Sequence, residues 1–517
     1  MKIMKSILVL LMVVGAYSVN AQKIRFKIQD QPDTTVNLVR YSGGNLYYSD
    51  TAEMKNGIVS FDGSKQKAGI LALYIPGQNI LDFVYNGEKE TYIEAKGPNF
   101  ISNAVAKKSE ENIIFYNYAQ FMSSEKQKEA MLGEKREKLD SESDQYKALT
   151  VQMDSIKNVV KVRQNELAEL HKDKLVGKII KMSTEIEIPE AAVDEAGNLI
   201  DSNFRFNYFR EHYWDNVDLN DERLVRTRIF DNKMTFYFSK NMIAQHWDTI
   251  TKYAFDFIDR LDPKSEMFQY TVSTLTSRFE KSKIMGMNTV FIRLGKKYYC
   301  DNGPDGTPLA TWVTEASRAK LCEKVNTHIN LVMGEIPPNI KLRDTTDVNY
   351  HDFMSLDSDY TILYFWDPDC GHCKKITPKL QTLYAEKWKD RNIEVFAVGK
   401  ASGDDFEKWK KFIKKHGLEF INVAVTATMY DAATDQSNNQ ARLLKLLQET
   451  TIESLNYQTQ YDIFSTPKVW VLDKNKKIIA YSLTVSQLED MLDKLQKKPN
   501  AEKLFPPEED VENEQMH

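Results

Sequence analysis

YTILYFWDPDCGHCKKITP, residues 360–378, is the stretch that decides the fold, because a buried-strand pattern runs directly into two cysteines. Its first seven residues are apolar, aromatic or β-branched, as in a central strand that is covered on both faces. A turn at 367–369 follows, and Cys370 and Cys373 then stand at the start of a helical pattern that contains Pro378. The stretch therefore predicts a CxxC pair at a strand-to-helix corner.

Strands and helices alternate on the C-terminal side of this corner. The predicted elements are a strand at 393–398, a helix at 404–415, strands at 420–425, 469–472 and 478–481, and a helix at 486–497. The strand–helix alternation opens the segment, and the last two strands indicate a β-hairpin that closes it. We therefore expect an α/β domain at 336–498.

Cys370 and Cys373 have the spacing and position of a redox pair. A thiolate is the nucleophile in disulfide exchange, and the positive end of a helix dipole stabilises it. Cys370 is therefore expected to be the accessible nucleophile. Cys373, one turn later, is expected to be the more buried thiol and to close a disulfide with Cys370. His372 can place a positive charge or a hydrogen bond near the thiolate, whereas the negative charge of Asp369 disfavours it.

A CxxC pair is also half of a zinc site, which needs two more ligands. Cys300 and Cys322 have no CxxC partner, and His351 and His416 have no partners in register. The sequence therefore predicts no metal at this corner.

Two motifs, FWDPDCGHCKKITP at 365–378 and STPKVWVLDKNKKII at 465–479, resemble the thioredoxin superfamily, in particular the exported TlpA/ResA-like thiol–disulfide oxidoreductases. The resemblance implies a thioredoxin fold for 336–498. The wider layout, including 213–230 and 334–344, is similar to multidomain thioredoxin-like proteins of Bacteroidetes-type bacteria.

The resemblance also implies roles for single residues. Cys370 becomes the attacking cysteine and Cys373 the resolving one. Pro467 becomes a cis-proline that faces the active site, and Pro378 the proline that kinks the first helix. The backbone of Thr466 is then expected to pair with an extended substrate strand.

This chain departs from the pattern of that family at several positions. Asp369 stands where the family usually has Trp, and Tyr364 replaces the buried acid of cytosolic thioredoxins. The segment 426–457 is long and is predicted to hold an inserted helix, 439–447, near the rim of the active site. The residues that we expect to modulate the dithiol are Trp366, Asp369, Gly371 and His372.

The rest of the chain divides into four predicted segments. Residues 1–21 are predicted to be a signal peptide, because two lysines, an apolar run at 7–14 and a small-residue cleavage pattern at 19–21 follow one another. The apolar run is much shorter than the about 20 residues that span a bilayer, which argues against a membrane anchor. Residues 22–104 carry short strand patterns separated by glycine turns, which predict a small antiparallel β-sandwich or barrel. Residues 105–335 predict a mainly α-helical middle domain, and 499–517 an acidic, disordered tail.

The middle domain contains an apolar stripe at alternating three- and four-residue steps over 146–170. This stripe is compatible with a partner-binding coiled coil or with one arm of an intramolecular hairpin against 112–139. It lasts barely four heptads, which favours the hairpin.

Cys300 and Cys322 leave two interpretations open. In an exported protein they can form a structural disulfide, and in a helical domain they can equally be two buried thiols. The sequence does not supply the Cα separation that distinguishes the two.

These observations predict a periplasmic or otherwise exported thiol–disulfide oxidoreductase. The net charge of −5 and the absence of a concentrated basic segment argue against nucleic-acid binding. We expect the protein to reduce disulfides of exported proteins and to be recharged by an upstream thiol electron donor, without a dissociable cofactor and without a membrane span in the mature chain. Two alternatives are a disulfide oxidant or isomerase, and an envelope binding protein with a secondary redox site. The sequence does not determine the oligomeric state.

Overall fold

The computed structural model describes residues 22–78, 80–403, 405–434 and 439–505. The predicted signal peptide and the end of the predicted acidic tail lie outside these residues. The chain forms two compact units. The first contains the described residues up to Ile243 together with Arg260–Tyr270, and the second contains Ala244–Asp259 and the described residues from Thr271 onward.

The first unit begins with eight strands in two four-stranded sheets. The strands are β1 (Lys23–Gln29), β2 (Thr34–Ser42), β3 (Asn45–Met54), β4 (Ile58–Asp62), β5 (Gly69–Tyr74), β6 (Leu81–Tyr85), β7 (Glu90–Lys96) and β8 (Val105–Lys108). One sheet has the order β4-β1-β7-β8 and the other β3-β2-β5-β6. Apolar residues alternate with exposed ones, as Ile24, Phe26 and Ile28 do in β1, and both sheets contribute to one core.

This arrangement confirms the small β domain, with one difference in strand direction. The pairs within both sheets are antiparallel except that β1 and β7 run parallel. Parallel neighbours need a long crossover, and the five strands between β1 and β7 supply it.

Six helices complete the first unit. They are α1 (Phe100–Asn103), α2 (Glu110–Arg136), α3 (Asp144–Leu170), α4 (Leu175–Met182), α5 (Phe204–Glu211) and α6 (Arg228–Tyr237). The two long helices, α2 and α3, pack against each other, and the Gln164 amide donates to the Tyr118 hydroxyl across them at 2.8 Å. The apolar stripe therefore belongs to an intramolecular hairpin, as the sequence favoured.

Four helices precede the α/β domain in the chain: α7 (Trp247–Ile258), α8 (Glu266–Glu280), α9 (Met287–Gly295) and α10 (Glu315–His328). Most of their residues belong to the second unit, so the predicted middle domain is divided between the two units. After α10 the chain hydrogen bonds to Ile478: Gly334 N–H donates to the Ile478 carbonyl, and Ile478 N–H donates to the Glu335 carbonyl, both at 2.8 Å. These bonds attach the end of the helical region to the edge of the α/β sheet.

A disulfide joins Cys300 and Cys322 within this helical region, with a Cα–Cα distance of 5.5 Å. Cys300 follows α9 and Cys322 lies on α10. The structure therefore resolves the two open interpretations in favour of the disulfide.

The α/β domain has a seven-stranded sheet in the order β10-β9-β13-β12-β11-β14-β15. Its strands are β9 (Lys341–Arg343), β10 (Tyr350–Asp352), β11 (Tyr360–Trp366), β12 (Ile393–Gly399), β13 (Ile421–Ala424), β14 (Lys468–Asp473) and β15 (Ile478–Tyr481). Its helices are α11 (Gly371–Leu383), α12 (Asp405–His416), α13 (Ala427–Thr434), α14 (Asn439–Leu446), α15 (Ile452–Leu455), α16 (Tyr457–Gln460) and α17 (Val485–Leu495).

The apolar pattern of β11 explains its central place in this sheet. Its residues from Thr361 to Trp366 are all buried, because helices cover both faces. β11 pairs in parallel with β12 and antiparallel with β14, which forms the closing hairpin with β15. This is the expected thioredoxin fold, and α14 corresponds to the predicted inserted helix.

Residues 499–505 differ from the expectation of a disordered tail. The backbone N–H groups of Leu504 and Phe505 donate to the Glu489 carboxylate at 2.9 and 3.1 Å. Glu489 lies on α17 and is fully buried, so these two donors compensate part of the cost of burying its charge. The apolar side chains of Leu504 and Phe505 pack against the core, which composition alone does not reveal.

Among the described residues, the structure contains no helix that is long and apolar enough to cross a membrane.

Candidate active site

The CxxC pair lies where β11 ends and α11 begins. The Asp367 carbonyl accepts from Cys370 N–H at 3.1 Å, and the Asp367 carboxylate accepts from Asp369 N–H at 2.8 Å. These two bonds form a tight turn, and Cys370 becomes the residue that caps the N-terminus of α11. The Cys370 sulfur is therefore next to the free N–H groups of the first helical turn.

The two cysteines differ in burial. Cys370 is partly exposed, whereas the Cys373 side chain is fully buried in the core below the corner. Cys373 Sγ accepts a weak hydrogen bond from Asp367 N–H at 3.5 Å. An incoming disulfide can thus reach Cys370, and it reaches Cys373 only through Cys370.

The environment also separates the pKa values of the two thiols. Burial alone raises the pKa of Cys370, but hydrogen bonds from the Cys373 backbone and from the side chains of Thr466 and Cys373 bring that pKa below its ordinary value. Burial raises the pKa of Cys373 to about 12, and the negative charge of Cys370 adds to the shift. Cys370 is therefore the sulfur that ionises first.

The Thr466–Pro467 peptide bond is cis, as predicted, and the loop that contains it lies against Cys370. The Cys370 thiol donates to the Thr466 carbonyl at 3.2 Å. The tertiary fold thus places the backbone of Thr466 in direct contact with the exposed sulfur, although 95 residues separate them in the chain.

Ion pairs surround the exposed face of the corner. Lys408 Nζ lies 3.0 Å from the Asp369 carboxylate, and Lys400 Nζ lies 3.4 Å from the Asp367 carboxylate. Both lysines also approach Asp405. These pairs reduce the electrostatic penalty that the acidic residues impose on a Cys370 thiolate, although their exposure weakens the effect.

The other predicted modulators take different positions. Gly371 and His372 are exposed on the first turn of α11, and a hydrogen bond from the His372 backbone helps to lower the pKa of Cys370. Trp366 is buried and packs against Phe412, with ring centroids 5.1 Å apart. Trp366 therefore supports the corner from within the core.

Tyr364 lies in the core on the same side of the sheet as Cys373. Its hydroxyl shares a hydrogen bond of 2.7 Å with the Thr377 hydroxyl of α11. Burial and the nearby Cys373 raise the pKa of Tyr364 well above its ordinary value, so its hydroxyl stays neutral. The position of the buried acid is thus occupied by a neutral hydrogen-bonding group.

A groove of about 220 Å³ opens at the loop that contacts Cys370 and was not predicted from the sequence. Its lining residues come from β11, from α16 and from the loop before β14: they include Phe365, Trp366, Asp367, Tyr457, Ile463, Phe464 and Thr466. The side chain of Phe464 is 91% exposed. Neither Phe464 nor Lys400 belongs to a sequence pattern that predicts a position at the active site. Only the closeness of Phe464 to Thr466 in the sequence could have indicated that Phe464 lies there.

Among the residues that the structure describes, no group of three or more His, Cys, Asp and Glu side chains is arranged to hold a metal ion.

Two family models match the chain. Residues 333–481 match the AhpC/TSA family, and residues 145–328 match a domain of unknown function (DUF5106). The first match contains the whole corner together with Thr466 and Pro467. A comparison with curated proteins finds no match.

Solved structures of bacterial proteins are similar to parts of the chain. A domain of a possible thiol–disulfide isomerase from Cytophaga hutchinsonii is 31% identical to the matched part of this chain. The match covers 33% of this chain and 96% of that domain, with a TM-score of 0.24. A thioredoxin-like protein from Bacteroides caccae is 16% identical over 60% of this chain and 99% of its own, with a TM-score of 0.35. A thiol-disulfide oxidoreductase from Bacteroides fragilis is 20% identical over 31% of this chain and 99% of its own, with a TM-score of 0.24.

Proposed function

We propose that this chain, which belongs to the thioredoxin superfamily as a TlpA-like thiol–disulfide oxidoreductase, is exported and reduces disulfides of other exported proteins. The observation that supports this proposal best is the difference in exposure and pKa between the two cysteines. Cys370 is accessible and has a lowered pKa, while Cys373 is fully buried and has a pKa of about 12. An accessible nucleophile above a protected second thiol is the arrangement that a two-step disulfide exchange needs.

The reaction begins when the Cys370 thiolate attacks one sulfur of a substrate disulfide. The substrate S–S bond breaks, a mixed disulfide forms on Cys370, and the first substrate sulfur leaves as a thiolate that takes up a proton. The Cys373 thiol then loses its proton and attacks the Cys370 sulfur. The Cys370–Cys373 disulfide forms, the second substrate thiolate leaves, and two electrons have passed from the protein to the substrate.

The acidic residues at the corner support the reducing direction. A strong disulfide oxidant depends on a reduced state that is stabilised by an ionised cysteine. In this protein Cys370 is the cysteine that can ionise, and hydrogen bonds lower its pKa, whereas burial opposes ionisation at Cys373. The carboxylates of Asp367 and Asp369 near the corner disfavour the Cys370 thiolate and so limit the stabilisation of the reduced dithiol, which favours transfer of its electrons to a substrate. Return to the dithiol requires a thiol electron donor.

Trapping tests the function and the direction together. In the cell of origin, a Cys373→Ser chain should accumulate mixed disulfides through Cys370, and a matched Cys370→Ser chain should not. The purified wild-type protein should have a reduction potential close to the −270 mV of thioredoxin. A potential near −120 mV, typical of a strong oxidant, would contradict the reducing direction. Recovery of the trapped protein only from the cytoplasm would contradict export.

A further inference from the structure

The groove lined by Phe464 and Thr466 combines a fixed loop with an exposed aromatic side chain. Ile463 N–H donates to the Gln458 carbonyl at 2.8 Å, and the Asp462 carboxylate lies 3.1 Å from His328 Nε2. The Lys468 ammonium donates to the Asp462 carbonyl. These contacts hold the segment immediately before Phe464, yet the side chain of Phe464 itself is 91% exposed.

An aromatic side chain on a restrained loop is well suited to binding. Its exposure to water is unfavourable until a partner covers it, and little conformational entropy remains to be lost when that happens. Aromatic residues of this kind are enriched among those that contribute most to interfaces. Two buried aromatic residues, Phe365 and Tyr457, also line the groove, and their rings stack with centroids 5.8 Å apart.

Thr466 connects the groove to the reactive sulfur, because it both lines the groove and contacts Cys370. Before the reaction, the Thr466 carbonyl oxygen accepts a hydrogen bond from the Cys370 thiol, with a sulfur-to-oxygen distance of 3.2 Å. Once Cys370 has lost its proton and formed a mixed disulfide, that carbonyl has no sulfur donor, and a backbone N–H of the bound substrate can replace it. A polypeptide offers such an N–H beside its cysteine, whereas a small disulfide without amides does not.

On this basis, and resting on the proposed function, we propose that Phe464 selects polypeptide disulfides that carry an apolar side chain two residues from the reacting cysteine. Phe464 precedes Thr466 by two residues, which is at most about 7 Å along the chain. A substrate side chain two positions from its cysteine has the same reach in an extended segment. The partner is therefore an extended, locally unfolded segment of a polypeptide with an apolar residue at that position.

The test uses the full-length reduced protein and short peptides whose single cysteine is in a disulfide with 2-thiopyridine. One set has leucine two positions before or after the cysteine, and the matched set has serine. We expect the wild-type protein to react about tenfold faster with the better leucine peptide than with its serine counterpart, equivalent to about 1.4 kcal/mol. Phe464→Ala should bring this ratio to about one, and Phe464→Leu should restore most of it.

Two controls separate this inference from its premise. Leu495→Ala removes another exposed apolar side chain at the opposite end of β11, near Tyr360, and should leave the leucine-to-serine ratio unchanged. Hydroxyethyl disulfide, which has no amide and no side chain, should react equally with the wild-type protein and with Phe464→Ala. If the leucine-to-serine ratio of the wild-type protein is one, or if Phe464→Ala keeps the wild-type ratio, the proposed selection by Phe464 is wrong and the proposed function still stands. A wild-type protein that reduces neither the peptides nor hydroxyethyl disulfide would overturn the proposed function and this inference with it.

Discussion

Alkylation of the reduced protein is expected to distinguish Cys370 from Cys373 by rate. At pH 8, the Cys373 thiol, with a pKa of about 12, is ionised to about one part in 10⁴. An ordinary thiol with a pKa of 9.0 is ionised to about 9% at this pH, and the ionised fraction of Cys370 is larger because its pKa is lower. The ionised fractions thus differ by more than about 900-fold. The thiolate with the higher pKa is the stronger nucleophile, by about 20-fold over three pKa units. Cys370 should therefore react at least about 45-fold faster, and the burial of Cys373 should widen the difference.

Iodoacetamide labelling followed by peptide mapping measures both rates between about pH 6 and 9. Labelling of Cys370 should rise with pH and level off above its pKa, whereas labelling of Cys373 should still be rising at the highest pH. The Cys373→Ser variant is the matched control, because serine keeps a hydroxyl beside Cys370, and its Cys370 should retain a similar pH profile. Rates at the two cysteines within about threefold of each other would refute the assignment of nucleophile and protected thiol.

Two further predictions concern stability. Replacing both Cys300 and Cys322 by serine removes a cross-link between residues 22 apart and should lower the free energy of unfolding by about 3 kcal/mol in urea denaturation; an unchanged midpoint would mean that the bond does not constrain the unfolded chain. Deleting the residues from 499 onward removes two backbone donors from the buried Glu489 and should cost about 1–3 kcal/mol relative to a control chain that ends at Phe505 and keeps both donors. Equal stability of the two truncated chains would show that Glu489 does not depend on 499–505.

The local pattern of the sequence was sufficient to predict the redox domain. The run at 360–366 consists of residues that suit a strand buried on both faces, and such a strand belongs at the centre of a sheet. Cys370 and Cys373 follow it at the start of a helix, a place whose electrostatics are known from the backbone alone. The cis bond before Pro467 was predictable as well, because the motif around it resembles a superfamily in which that bond is part of the fold.

Properties that depend on distant parts of the chain required the tertiary structure. The pairing of Cys300 with Cys322 depends on a Cα separation that neither local segment contains. The order at 499–505 depends on a buried carboxylate on α17, which the acidic composition of the tail conceals. The CxxC pair predicted that Cys373 is the more buried thiol, but the packing that buries it completely and raises its pKa comes from the whole domain. Exposure is a property of the whole packed chain, and for this reason only the structure identified Phe464 as an uncovered side chain in the groove that Thr466 also lines.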